Sequence, residues 1–127
     1  MKVSDLHQRR LFTADADETL DEAADRMRWH EIGALPVFEG HRLAGIITER
    51  DITAAVADGV DPATTPVSGY MTPAPAVLGP DSDLAQAAHT MLELGVRHVP
   101  IVDHGRLVGV LSIRDLLDAE TQGSLWR

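Results

Sequence analysis

The chain has 127 residues, a formal net charge of −9 and no cysteine, a length that fits one compact domain or two small subdomains sharing a core. The missing cysteines exclude a disulfide scaffold, an iron–sulfur centre, a thiolate zinc site and a cysteine nucleophile, and they fit a reducing compartment. With 44% hydrophobic and 24% charged residues the chain reads as globular, and a pI near 4.9 argues against a nucleic-acid surface or docking on anionic lipid.

The first ten residues are polar with no apolar run behind them, so no secretory signal is expected. No stretch approaches the roughly 18 apolar residues of a membrane span, and the expected location is the cytoplasm. A short lead-in, Val3–His7, precedes a strand expected over Arg10–Thr13. A helix follows, with Leu20, Ala23, Ala24 and Met27 on one face at i, i+3, i+4, i+7. Asp17 is placed to cap its start, and Trp29 at its end reads as a core or dimer contact. Two apolar runs, Ala34–Phe38 and Leu43–Thr48, flank Glu39-Gly40-His41-Arg42 and read as a β-hairpin. Pro36 inside the first run calls for a position that donates no ladder bond. A second helix is expected over Glu49–Ala57.

After the turn-rich stretch Gly59–Pro66 the pattern starts again. Sliding the chain by 64 residues overlays 3–51 on 67–115 without a gap, with thirteen identities that include Leu20/Leu84, Met27/Met91, Pro36/Pro100, Gly45/Gly109 and Asp51/Asp115. The second copy repeats the order: a lead-in Val67–Met71 and a strand over Pro75–Leu78. Its helix carries Leu84, Ala87, Ala88, Met91 and Leu92 behind a cap at Asp81. Strands Val99–Val102 and Leu107–Ser112 and a helix over Ile113–Thr121 complete it. The expected fold is α/β (α+β): two β-α-β-β-α repeats packed about a pseudo-two-fold axis. The expected divisions are a first repeat over 1–58, a linker over 59–66, a second repeat over 67–121 and a tail over 122–127 that holds Trp126.

Ile32-Gly-Ala-Leu-Pro-Val37 with Gly45-Ile-Ile-Thr-Glu-Arg-Asp51, Val96-Arg-His-Val-Pro-Ile101 with Gly109-Val-Leu-Ser-Ile-Arg-Asp115, and Met71-Thr-Pro73 carry a resemblance. The chain resembles a pair of cystathionine β-synthase (CBS) domains, the Bateman module, as found in stand-alone bacterial CBS-domain proteins. The resemblance runs from Lys2 to about Glu120. Each copy holds the family's ligand signature, Gly-h-h-[Ser/Thr]-x-x-Asp with h apolar, starting nine residues after its proline.

Two readings of that signature compete. Thr48-x-x-Asp51 and Ser112-x-x-Asp115 are capping-box patterns, which satisfy free N–H groups at a helix start. Gly45 and Gly109 add room for a close backbone approach. The same geometry also suits a ligand. A helix start favours an anion, a cap hydroxyl adds a bond to phosphate, and a first-turn carboxylate accepts from both hydroxyls of a ribose. The resemblance implies that Asp51 and Asp115 bind ribose and that Thr48 and Ser112 lie near phosphate. It implies a base pocket from Ile32, Gly33 and Ala34, with Val96 as the equivalent in the second copy and Phe12 and Ala76 lining the same cleft. Arg97 and His98, where the first copy has Gly33 and Ala34, are the expected phosphate ligands, so the second site is expected to bind an anion better. Arg50 and Arg114 read as surface salt-bridge partners. His7, His30, His41, His89 and His104 show no paired metal-ligand spacing within a helix and read as surface or dimer-face residues, so no metal is expected.

The functional expectation is a regulatory module that binds an adenosyl nucleotide (AMP, ADP or ATP) in the cleft between the repeats. NAD and S-adenosylmethionine fit the same chemistry, and the sequence does not choose among them. The alternative is a ligand-free dimerisation or protein-interaction module. No nucleophile elbow, P-loop or His-Glu-x-x-His motif occurs, so no enzyme and no catalytic cofactor is expected. The resemblance further implies a homodimer through the helices, around the Met27/Trp29 and Met91/Leu94 regions. The protein partner is unknown, and no nucleic acid or membrane is expected as a partner.

Overall fold

The structure, a computed structural model, describes residues 1–6 and 10–121. His7 and the tail with Trp126 lie outside the described residues. The chain divides into two compact units. The first unit is the continuous stretch Phe12–Pro75; the second combines Met1–Leu11 with Ala76–Arg127.

In the first unit β1 (Ala14–Asp15), α1 (Leu20–His30), β2 (Ala34–Glu39), β3 (Arg42–Thr48) and α2 (Glu49–Asp58) follow in order, and β4 (Thr72–Pro73) closes the sheet. The strand order is β1-β2-β3-β4, with β1 parallel to β2 and the other pairs antiparallel. Ala34 to Val37 are all buried, as a continuous apolar run in an inner strand requires. Leu20, Ala23 and Met27 of α1 pack with Leu35, Val37 and Ile47 in one core. β1 joins β2 only from Val37 onward, one residue past Pro36.

In the second unit α3 (Leu84–Leu94), β5 (His98–Asp103), β6 (Arg106–Ser112) and α4 (Ile113–Thr121) repeat the pattern. β5 and β6 form a hairpin whose register shift, between Ile101 and Val102, repeats the one between Val37 and Phe38. Leu84, Ala87 and Met91 meet Val99, Ile101 and Leu111 in its core.

The mixed α/β class and the element order agree with the sequence, but several details do not. The strand expected over Arg10–Thr13 forms instead at Ala14–Asp15. The Thr13 carbonyl accepts from Arg26 Nη1 at 2.8 Å. The strand expected over Pro75–Leu78 shrinks to one parallel bridge, Leu78 to Ile101, because prolines cannot donate to a ladder. Asp17 and Asp81 cap neither helix. The cap positions are Thr19 and Asp83, and only the Asp83 carboxylate accepts a helix-start N–H, from Gln86 at 3.3 Å.

The reason is an exchange of lead-in segments. The Leu84 N–H donates to the Met1 carbonyl at 2.9 Å, and the Leu20 N–H donates to the Thr65 carbonyl at 2.9 Å. Backbone just ahead of the other copy's lead-in thus satisfies a donor at each helix start. Val3, followed by a 3-10 turn through Asp5, is buried in the second unit's core; Val67, in the matching turn, is buried in the first unit's core.

Leu92, expected on the buried face of its helix, is 76% exposed, and Trp29, read as a core or dimer contact, is 82% exposed and so is no core residue. Neither packs against the core of its unit. Met27 and Met91 are core residues, which removes them from any exposed dimer face. Among the described residues no helix is long and apolar enough to cross a membrane.

Candidate functional site

Each signature sits where a hairpin strand runs into a helix. Thr48 is the last residue of β3 and the N-cap of α2. Its backbone N–H donates to Asp51 Oδ2 at 2.8 Å, and the Asp51 N–H returns a bond to Thr48 Oγ1 at 3.4 Å. Ser112 ends β6 in the same way. Its N–H donates to Asp115 Oδ2 at 2.9 Å, and the Asp115 N–H donates to Ser112 Oγ at 3.2 Å. Both capping boxes therefore form. They fix each carboxylate through Oδ2 at a helix start, half-buried, with Oδ1 outside the box.

The hydroxyls differ. Thr48 Oγ1 also donates to Asp51 Oδ2, at 3.0 Å. The Ser112 hydroxyl makes no such second bond among the described residues, so its proton is not spent on the carboxylate.

The strand starts lie against these caps. Ala34 is opposite Thr48, and His98 is opposite Ser112. The first N–H of α2, from Glu49, donates to the Gly33 carbonyl at 3.0 Å, and that of α4, from Ile113, donates to the Arg97 carbonyl at 2.8 Å. Gly33, Ala34, Thr48 and Asp51 thus assemble in the first unit, and Arg97, His98, Ser112 and Asp115 in the second. Arg97 is exposed and makes no ion pair with another described residue, whereas His98 is half-buried and has a partner. In a chain of net charge −9, Arg97 thus stands next to the start of α4 through its backbone, with an exposed side chain that pairs with no described carboxylate.

Of the expected base-pocket residues, Ile32 and Phe12 pack against the same first-unit core. Val96 and Ala76 are both exposed, and both belong to the second unit. Gly45 is where β4 crosses β3: a Cβ there would lie 2.6 Å from the Thr72 carbonyl oxygen and 2.7 Å from Met71 Sδ. The close approach expected of Gly45 is thus real, and it is made to Met71-Thr-Pro73. Arg50 and Arg114 are exposed but join no ion pair among the described residues, against the expectation. His89 and His104 are exposed beside Glu93 and Asp103. Among the described residues no group of three or more His, Asp or Glu is placed to hold a metal ion.

Two features escaped the sequence. The ring of His30 stacks on Phe12, with centroids 3.6 Å apart and planes 16° apart. Arg26 grips Glu18 through two bonds, Nη1 to Oε1 at 3.0 Å and Nη2 to Oε2 at 2.7 Å. The Arg26 guanidinium holds the Glu18 carboxyl below its ordinary range, and Glu18 raises Arg26 in turn. Neither pair has a spacing rule behind it, since each joins a loop to a helix.

The CBS domain family matches the chain twice, over residues 3–58 and 67–121, and the chain belongs to that family. The CBS domain-containing protein YhcV of Bacillus subtilis is 36% identical over 115 residues, 90% of this chain and 81% of its own. The CBS domain pair of protein MJ0100, solved in complex with 5′-methylthioadenosine and S-adenosyl-L-methionine, superposes with a TM-score of 0.88 at 27% identity, covering 97% of this chain and 98% of that one. CBSX2 in complex with AMP superposes with a TM-score of 0.79 at 26% identity, covering 95% and 96%.

Proposed function

We propose that the protein is a regulatory, non-catalytic sensor of an adenosyl nucleotide (AMP, ADP or ATP), with the second unit holding the stronger site. One observation supports this reading: the Ser112 hydroxyl and the Asp115 carboxylate lie at the start of α4, where the first helical N–H is held by the backbone carbonyl of Arg97. In the proposed pose the Asp115 carboxylate accepts from the ribose hydroxyls. The Ser112 hydroxyl and the helix start take the phosphate, with the charge balanced by Arg97 and His98. Val96 and Ala76 border the base. The first unit offers the weaker counterpart, with Asp51, Thr48 and the Ile32–Ala34 stretch and no cation at Gly33 or Ala34. The complexes of MJ0100 with two adenosyl compounds and of CBSX2 with AMP support the ligand class. NAD and S-adenosylmethionine share the adenosyl group and belong to the same test. A homodimer through helices, with Trp29 and Leu94 in its faces, and a cytoplasmic setting complete the proposal.

Calorimetric titration with AMP, ADP and ATP tests it. Asp115→Ala removes a charge-assisted contact worth about 1.5–3 kcal/mol, a loss of roughly tenfold to hundredfold in affinity. Asp115→Asn keeps an acceptor for the capping box and should lose affinity while melting close to wild type. Unchanged affinity in both variants overturns the assignment.

A further inference from the structure

Phe12 and His30 belong to the first unit, and the second copy has neither ring: the positions 64 residues on are Ala76 and Leu94. Phe12 packs against the first unit's core, and Ile32 packs against that same core. The imidazole of His30 lies over Phe12 with centroids at 3.6 Å and only 16° between planes, so the rings overlap almost fully. His30 is three residues before Gly33, whose carbonyl is bound to the first N–H of α2. That helix start carries Thr48 and Asp51. A flat five-membered ring therefore covers a face of Phe12, on a residue three before the Gly33 that holds the start of α2, and against the same core as Ile52, which follows Asp51.

We propose that His30 is a built-in competitor for the first unit's base slot. It stacks on Phe12 in place of a purine and weakens adenosyl binding at the Asp51 site, whereas the equivalent positions of the second copy, Ala76 and Leu94, carry no ring. This rests on the reading of both caps as adenosyl sites. An aromatic stack of this kind holds a slot closed about threefold to tenfold over open, and apparent affinity falls by the same factor. The two sites differ in affinity, then, for two separate reasons: the missing cation at Gly33 and Ala34, and the imidazole on Phe12.

The test uses the full chain. Asp115→Asn weakens the second site, and AMP is titrated by calorimetry into that variant with and without His30→Leu, the residue the second copy carries. His30→Ser serves as a second opening variant if the leucine disturbs folding, as judged by circular dichroism melting. The expected result is affinity threefold to tenfold tighter when His30 is replaced, and lost again when Asp51→Asn is added. Equal or weaker affinity, or no binding with or without the replacement, overturns the plug. Titration of the otherwise unaltered protein reads the proposed function separately, since it reports the second site. A further readout needs no variant: in wild type, AMP at saturating concentration should move the His30 imidazole proton resonances out of the Phe12 ring current. Resonances that stay in place while AMP fills the Asp51 site also overturn it.

Discussion

Gly45 shows how one missing side chain lets a neighbouring segment come close, where β4 pairs with β3. β4 passes so close that any Cβ would overlap the Thr72 carbonyl oxygen, which belongs to backbone and cannot swing away. Gly45→Ala should therefore destabilise the protein by about 1–3 kcal/mol, the usual range for overpacking a filled core. Urea unfolding reads it, and a variant as stable as wild type would mean that β4 does not seat there. Glu31 is the opposite case. It ends α1 in the left-handed region at φ 54°, where the second copy has Gly95 at φ 66°. Glu31→Gly should stabilise by roughly 0.5–1 kcal/mol, because glycine adopts that conformation without a Cβ penalty. A lower melting temperature would show that Glu31 makes a contact worth more than its strain.

The Glu18–Arg26 pair works between elements. Glu18 Oε1 also accepts from the Asp15 N–H at 2.8 Å, and Arg26 also donates to the Thr13 carbonyl, so the pair binds the stretch before α1 to the helix body. The second copy keeps half of this arrangement, with Ser82 Oγ accepting from the Gly79 N–H at 3.1 Å and Thr90 in place of the arginine. The Glu18 carboxyl lies below its ordinary range when folded, mainly through the bond from Arg26. Its contribution is therefore complete above the ordinary carboxylate range and is lost as pH falls through the lower folded value. Glu18→Gln should cost roughly 1–2 kcal/mol near neutral pH and flatten the acid limb of the stability profile. A wild-type-like acid limb in the variant would remove the pair from the account.

At this scale the sequence was most legible where contacts are local. Leu20, Ala23 and Met27, the hairpin around Gly40-His41 and the two capping boxes all follow from spacing within a few residues. The strands over Arg10–Thr13 and Pro75–Leu78 and the caps at Asp17 and Asp81 did not form as read, because distant backbone decides them. Leu20 and Leu84 take their partners from Thr65 and Met1, which no local pattern shows. In the site the positions of Thr48, Asp51, Ser112 and Asp115 were readable, whereas the ring of His30 over Phe12 was not.

Over the whole molecule, the sequence repeats and the compact units are cut differently. Met1–Leu11 belongs with Ala76–Arg127, and Phe12–Pro75 stands as one continuous unit. Val3→Ala, at a position 1% exposed, should cost about 1–3 kcal/mol. Its effect should appear in amide exchange of β5 and β6 rather than of β2 and β3. Faster exchange confined to β2 and β3 would contradict the exchange of lead-ins. A net charge of −9 disfavours anions in general, so the proposed nucleotide would need a local cation, and Arg97, whose carbonyl holds the first N–H of α4, is the proposed one. Native mass spectrometry of the full chain with AMP, ADP or ATP tests this most directly, because bound nucleotide and subunit number appear in one spectrum. The account predicts a dimer that retains one tightly held nucleotide per chain, lost in Asp115→Asn. A spectrum free of nucleotide with all three, or retention unaffected by Asp115→Asn, would contradict it.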